Sequence, residues 1–191
     1  MEILYILTSI FLLLFILLAV YDGLYLHLWC FELFKRKESL LEHKTHTMRA
    51  VLFPLIIAFY FLGGSSTLYF YIGISLIILD LIVLGIDAYS ETDSRLFMGG
   101  LPRWEYIIHL FTNSFHFASI CLLTATKISL TNNTVLLNLR DVDSPIKHIF
   151  DIICINILPG AMILAIIHIL LMTTIGKRWW SYIKPEKTLL N

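Results

Sequence analysis

Histidines and carboxylates that could bind metal ions lie inside, or at the ends of, otherwise apolar stretches of this sequence. An ionisable group in such a stretch is unfavourable unless it has a charged partner, an ion or water. Imidazole and carboxylate are typical ligands of iron, manganese and zinc, and the three cysteines form no C-x-x-C pair that would indicate a thiolate site. The groups concerned are His27, His43, His46, His109, His116, His168, Asp80, Asp87, Glu91 and Glu105.

The spacing of these groups places them on single faces of the helices that carry them. One residue advances an α-helix by about 100°, so the members of each set fall within an arc of about 40° to 100°. A polar face exposed to lipid would be unfavourable, and we therefore expect the three faces to point at one another. The sets are Asp80, Asp87 and Glu91; Glu105, His109 and His116; and Glu42, His43 and His46.

Depth along the helices, at about 1.5 Å per residue, divides the polar groups into two levels. The shallow level has enough ligands for two metal ions, with iron favoured and zinc or manganese as alternatives. Its predicted ligands are His27, Glu42, His43, His46, Asp87, Glu91, Glu105 and His109. The deep level consists of Asp80, His116 and His168, and we expect these residues to support the ligands, to carry protons or to end a substrate pocket. Arg49 and Arg103 lie near the shallow level, where they are expected to bind a phosphate head group.

Several of the predicted ligands, including His27, His43 and Glu91, also have an interpretation without a metal, such as a solvated position or a hydrogen bond to a carbonyl. Ser39 and Glu42 have the spacing of a capping box, in which the glutamate would accept from the backbone N–H of the serine. Glu105 lies in the first helical turn after Pro102, where the helix dipole favours a carboxylate. The alternatives do not require these residues to share one site.

Composition indicates that lipid is the main solvent of the chain. Of its 191 residues, 58% are hydrophobic and only 15% are charged, and the mean hydropathy is +0.81. A water-soluble domain needs about 25% charged residues, so soluble, disordered and coiled-coil classes are excluded. Lys+Arg and Asp+Glu both number 14, which gives no sign of a nucleic-acid partner.

The apolar stretches predict an all-α, polytopic integral membrane protein in which residues 1–191 form one domain. A bilayer core about 30 Å thick is crossed by about 20 apolar residues. Turn-forming and charged segments such as Lys35-Arg36-Lys37, Gly63-Gly64 and Gly99-Gly100 separate the stretches. We expect five transmembrane helices, over residues 3–34, 39–62, 67–93, 103–127 and 148–176, with the first four forming a bundle that extends into the cytoplasmic interface.

The distribution of basic residues predicts the orientation of the helices. Alternating the loops between the two sides places most lysines and arginines on one side, which is typical of the cytoplasmic side. The N-terminus is then outside, and the C-terminus and the metal site are on the cytoplasmic side. The cytoplasmic set is Lys35, Arg36, Lys37, Lys44, Arg49, Arg95, Arg103, Lys177, Arg178, Lys184 and Lys187, against Lys127, Arg140 and Lys147 outside.

In general design, with His and carboxylate ligands at the cytoplasmic ends of its helices, the chain is similar to membrane di-iron desaturases and hydroxylases. Those families carry paired adjacent histidines, whereas this chain has none, and Glu42-His43-Lys44-Thr45-His46 is its nearest approach. The chain also has Glu-x-x-x-His at 42–46 and 105–109 instead of the Glu-x-x-His of ferritin-like bundles. The sequence therefore identifies no family.

These patterns favour a metal-dependent membrane enzyme, with a di-iron site that oxidises or hydroxylates a lipid-soluble substrate, and with a redox partner or an oligomer as its protein contacts. One alternative is a zinc-dependent membrane lipid hydrolase, in which the metal activates water. The others are non-enzymatic: a metal-binding or haem-binding subunit, or a transporter. The outer halves of the predicted spans are almost purely apolar, which disfavours a polar translocation path.

Overall fold

The computed structural model describes residues 1–131, 134–139 and 142–185, and the basic residues Arg140 and Lys187 used for the orientation lie outside this part. The described chain is mostly helical. Its helices are α1 (Glu2–Cys30), α2 (Leu40–Ile56, continued by a π-helical turn Ile57–Phe61), α3 (Thr67–Ser94), α4 (Arg103–Lys127), α5 (Pro145–Leu171) and α6 (Thr174–Ile183). Two antiparallel strands, β1 (Ile128–Thr131) and β2 (Thr134–Leu137), form a hairpin between α4 and α5.

Two of the expected helices have different ends in the structure, because a left-handed residue ends one and capping residues start new helices in the other. The helix expected over residues 3–34 ends at Cys30, because Glu32 adopts a left-handed conformation with φ 47°. The helix expected over residues 148–176 is divided: α5 begins at Pro145 behind the cap Ser144, and α6 begins behind the cap Thr173. The hairpin lies between the helices expected over residues 103–127 and 148–176, where the sequence predicted no regular element.

Four helices of the described chain are long and apolar enough to cross a membrane: Glu2–Cys30, Thr67–Met98 (α3 with the short helical turn that follows it), Arg103–Lys127 and Pro145–Leu171. This is typical of an integral membrane protein. The remaining long helix, α2, carries a polar half between Glu42 and Arg49. It nevertheless packs against α3 and α5.

Side-chain exposure is reversed relative to a water-soluble protein. Leu17, Ile82 and Ile163 are more than half exposed on the outer faces of their helices, while Glu42 and Glu105 are completely buried. An apolar exterior around a polar interior is expected of helices whose outer faces contact lipid. The arrangement agrees with the low charge content of the sequence.

The polar interior lies between two apolar clusters. On α1, Leu12 and Phe15 belong to a large core that also contains Ile56 of α2 and Cys154 of α5. Further along, a smaller cluster joins Leu28, Phe34, Leu171 and Trp180 at the end of the bundle where α6 lies. Asp22 and His27 fall between these clusters on α1. Apolar packing therefore closes the polar interior at both ends.

A tight connection between α3 and α4 brings two charged residues together. Gly99 and Gly100 adopt φ values of 84° and 110°, which favour glycine because side chains rarely take them. The chain therefore reverses direction within a few residues. As a result, Arg95 at the end of α3 lies beside Glu105 in the first turn of α4.

A close approach of α3 to α2 depends on Gly73. A Cβ atom at position 73 would lie 2.7 Å from Cβ of Tyr60, whereas one at Gly85 on the same helix would meet no atom within 4 Å. Gly73→Ala should therefore lower the free energy of unfolding by about 1 to 3 kcal/mol through overpacking. Gly85→Ala should be neutral or stabilising by up to about 1 kcal/mol. Denaturant titrations of both variants in one detergent test the pair, and equal stabilities would contradict this packing.

Candidate metal centre

Polar side chains from the first four helices meet in one connected network, which we call the polar core. Each helix places its members on its inward face, as the spacing on α2, α3 and α4 predicted. Asp22 and Arg95 are members that the sequence analysis had not assigned to the site. The polar core comprises Asp22, His27, Glu42, His46, Asp87, Glu91, Arg95, Glu105 and His109.

Arg95 is the central cation of the polar core, and its side chain is completely buried. Its two terminal nitrogens donate to the two oxygens of Glu42 at 2.7 and 3.0 Å. Its Nε donates to Oε1 of Glu105 at 2.9 Å, and Nη2 donates to the same oxygen. Nη2 also donates to Nε2 of His27 at 3.0 Å. A planar guanidinium suits this arrangement because its five N–H groups point in fixed directions.

These contacts decide between the interpretations of Glu42 that the sequence left open. The Ser39 side chain makes no capping hydrogen bond, and its hydroxyl instead donates to the backbone oxygen of Ser94 at 2.8 Å. That bond joins the start of α2 to the end of α3, directly beside Arg95. The capping-box interpretation is therefore wrong, because the Glu42 carboxylate is held by Arg95.

Four side chains bring possible ligand atoms within 4.8 Å of one another, and this four-ligand cluster consists of Asp22, His27, Glu105 and His109. Oδ1 of Asp22 lies 3.0 Å from Nε2 of His109 and 3.3 Å from Nε2 of His27. Oε1 of Glu105 lies 3.9 Å from Nε2 of His27 and 4.0 Å from Nε2 of His109. Ligands at about 2.0 to 2.2 Å from one ion lie roughly 3 to 3.5 Å apart. Four-fold coordination would therefore need a shift of Glu105 and the loss of the hydrogen bonds from Arg95 to Glu105 and His27.

The outer nitrogens of both cluster histidines contact further side chains. Nδ1 of His109 lies 3.0 Å from Oε1 of Glu91. Nδ1 of His27 lies 3.0 Å from Nδ1 of His46, whose Nε2 lies 3.1 Å from Asp87. Since arginine can only donate, Nε2 of His27 accepts from Arg95 and Nδ1 carries the proton. This tautomer aims a lone pair into the cluster, as a metal ligand requires.

A π-helical segment, Val20–Cys30, explains why Asp22 was missed. Asp22 and His27 are five residues apart, which separates them by about 140° on an α-helix. In a π-helix, residues i and i+5 are hydrogen-bonded neighbours and share a face. Residues 20–30 contain no proline and no pair of glycines, so nothing in this part of the sequence indicated the change of helical period.

A second group of ligand atoms within 4.8 Å of one another consists of His27, Glu42 and His46. It shares His27 with the four-ligand cluster, and Glu42 is already paired with Arg95. Buried His, Asp and Glu groups that could hold a metal ion are therefore present in the described chain, as the sequence predicted. Both the number of ions and the identity of the metal remain predictions.

The other predicted site residues fall outside the polar core or at its border. Arg49 lies at the border, 3.9 Å from Asp87 of the polar core and 3.3 Å from Asp80. His116 lies 3.7 Å from Asp80 and stacks on Phe15. The remaining three do not reach the network: His43 stacks with His168 at 5.6 Å between ring centroids, and Arg103 is exposed.

A cavity of about 410 Å³ borders the polar core. Asp22, His46 and Arg49 form part of its wall at the polar core. Phe15, Ile157 and Leu164 are among the apolar residues that line the rest. The volume is within the range of natural small-molecule sites, and a largely apolar wall with a few polar groups is typical of them.

The charges of the polar core and its border are unequal. Six buried carboxylates face two guanidinium groups, those of Arg95 and Arg49. Unpaired negative charge in an apolar interior is strongly unfavourable, so protonated carboxyl groups, protonated imidazoles or metal cations must compensate for the excess. The six carboxylates are Asp22, Glu42, Asp80, Asp87, Glu91 and Glu105.

Replacement of the central cation should lower the stability of the bundle more than replacement of an exposed cation. Arg95→Met leaves Glu42 and Glu105 without their partner and should lower the free energy of unfolding by about 3 to 5 kcal/mol. The matched control Arg103→Met, at an exposed position, should change it by less than about 0.5 kcal/mol. Adding Glu42→Gln and Glu105→Gln to Arg95→Met should recover much of the loss. Equal stability of the two single variants in denaturant titrations would refute the role of Arg95.

Comparison with protein-family models, with curated protein sequences and with solved structures finds no match to this chain. Its function is therefore argued from the chemistry of its own side chains.

Proposed function

We propose that this chain is a metal-dependent membrane enzyme that oxidises or hydroxylates a lipid-soluble substrate, with iron as the favoured metal. The observation that carries the proposal is the four-ligand cluster beside a largely apolar cavity. Two histidines with one carboxylate and open positions form the usual ligand set of non-haem iron oxygenases. Asp22, His27 and His109 offer that set, and Glu105 offers a further oxygen.

The chain's own residues would tune and hold such a metal. Glu91 orients His109 through its outer nitrogen, and the pair of His46 with Asp87 orients His27. A metal held by all four ligands would replace the contacts of Arg95 with His27 and Glu105, while the paired contact with Glu42 remains. The metal would supply Lewis acidity and redox chemistry. Oxidation also needs an oxidant such as molecular oxygen and electrons from a redox partner.

The proposed topology has five transmembrane helices with the N-terminus outside and the metal site near the cytoplasmic face. It counts α2 as a span, since its polar half faces the bundle interior and its other half packs in the apolar core through Leu52, Ile56 and Tyr60. The orientation follows from the asymmetry of basic residues. The partners of this arrangement are the lipid bilayer, the substrate and the redox partner.

A zinc-dependent lipid hydrolase is the second candidate, and one observation favours it. Oε2 of Glu105 is buried and has no hydrogen-bond partner within the described residues. A carboxylate oxygen in that position beside three metal ligands could act as a general base toward water. The metal distinguishes the candidates, since iron gives a near-ultraviolet charge-transfer band and zinc is spectroscopically silent.

Substitutions in the four-ligand cluster should remove the metal. We expect Asp22→Asn and His109→Gln, purified in detergent, to retain only a small fraction of the wild-type metal content in elemental analysis. His148→Gln is the matched control, because this histidine is largely exposed at the start of α5 and pairs with Asp143. His43→Gln should also keep its metal, since His43 lies outside both ligand groups. Wild-type metal content in Asp22→Asn and His109→Gln would reject the proposal.

Loss of the carboxylate behind His109 should weaken the metal site without abolishing it. Glu91→Gln should lower the metal affinity about 10- to 100-fold, because the carboxylate fixes the orientation of the imidazole. Asp93→Asn serves as control, since this carboxylate lies two residues away and is exposed. Competition with a chelator measures both affinities, and equal values would show that Glu91 has no such role.

A further inference from the structure

The cavity beside the polar core has a wall that reaches the outer surface of the bundle. Val20 and Leu24 of α1 and Ile163 of α5 line it, and all three side chains are substantially exposed on the faces that contact lipid. Gly160 of α5 also lines it, and a Cβ there would meet no atom within 4 Å. A molecule dissolved in the bilayer can therefore enter between α1 and α5 without crossing water.

Two buried histidines on opposite helices line this cavity and have unsatisfied ring nitrogens. His116 of α4 is 1% exposed, and neither of its nitrogens has a hydrogen-bond partner within the described residues. His168 of α5 is 2% exposed, and its Nδ1 is equally without a partner in that part of the chain. A buried polar group without a partner is unfavourable by about 1 to 3 kcal/mol, so a lipid oxygen that reached these nitrogens from the cavity would stabilise both rings.

The charges that line the cavity favour an uncharged ligand. Asp80 is paired with Arg49 at 3.3 Å, and Asp22 contacts His109 at 3.0 Å. In the described lining, both carboxylates are thus paired and no guanidinium is left, so neither an amine nor a carboxylate or a phosphate would find a free counter-charge. Imidazole N–H groups bind carbonyl or hydroxyl oxygens, and the other ring nitrogen accepts from a hydroxyl.

We propose that the cavity binds a neutral lipid that carries hydroxyl or carbonyl oxygen, with His116 and His168 as its polar contacts. This inference rests on the proposed function, since it names the substrate class of the same site. The apolar part of the lipid lies along Phe15, Ile157 and Leu164, and its oxygen-bearing part lies toward the polar core.

Photolabelling in phosphatidylcholine nanodiscs tests the inference with a diazirine-bearing dodecanol. We expect labelled peptides from the cavity walls on α1 and α5, and competition by unlabelled dodecanol but not by dodecane, dodecanoate or dodecylamine. His116→Phe and His168→Phe keep an aromatic ring but remove the nitrogens, and each should weaken the competition by dodecanol about 3- to 10-fold. His116→Phe also preserves the stack on Phe15.

A second pair of variants keeps the inference testable if the histidine variants fold poorly. Gly160→Leu should reduce specific labelling because its side chain narrows the cavity mouth. Gly85→Leu is the matched control, because Gly85 is likewise unobstructed but does not line the cavity. Equal labelling of both variants, or competition by dodecane, dodecanoate or dodecylamine as strong as by dodecanol, would overturn the inference.

Metal analysis of the same preparations separates this inference from the proposed function. Neither His116 nor His168 belongs to a ligand group, so their variants should keep wild-type metal content. Specific labelling without any metal in the wild-type protein would refute the proposed function alone. Metal retention without specific labelling would refute the lipid site alone.

Discussion

Neutralisation of buried carboxylates is the constraint on which the rest of this structure depends. A carboxylate in an apolar interior is tolerated only with a cation and with hydrogen bonds on its oxygens. Arg95 meets that requirement for Glu42 and Glu105 at once, and it thereby links the start of α2, the end of α3 and the start of α4. The turn at Gly99 and Gly100 and the bond from Ser39 to Ser94 hold this cation in place.

The same constraint connects the fold to chemistry. Arg95 and Arg49 leave an excess of buried negative charge, and the remaining compensation falls to protonated carboxyl groups, to histidines or to bound cations. Histidine nitrogens and carboxylate oxygens within 4.8 Å of one another suit a divalent metal better than separate protons, because one ion neutralises two carboxylates. The apolar clusters that flank Asp22 and His27 along α1 keep part of the polar core away from water and so strengthen such interactions.

The cavity would give the proposed enzyme a path for its substrate to this charged interior. It borders Asp22 and His46 at one part of its wall and exposed apolar residues of α1 and α5 at another. A site of this kind would serve molecules that are dissolved in the bilayer, since neither the ligand nor the polar core would have to be exposed to water. Under the proposal above, the unsatisfied nitrogens of His116 and His168 would make the cavity prefer a lipid that carries hydroxyl or carbonyl oxygen.

Residue types and helical period in the sequence were sufficient to predict the helical class and the inward faces of α2, α3 and α4. The reason is that polar groups are unfavourable on a face that contacts lipid. They also identified Glu42, His46, Glu105 and His109 as neighbours, since spacings of four residues keep groups on one face of an α-helix. Asp22 entered the cluster only through the π-helical segment of α1, whose period differs from 3.6 residues. Arg95 resembled a surface anchor in sequence, and His43 resembled a ligand. Only the packing of α3 against α2 and the tight turn from α3 into α4 decided that Arg95 is buried between two carboxylates. Only the packing of α5 against α2 brought His43 beside His168, because contacts between helices depend on rotation and depth that no single helix specifies.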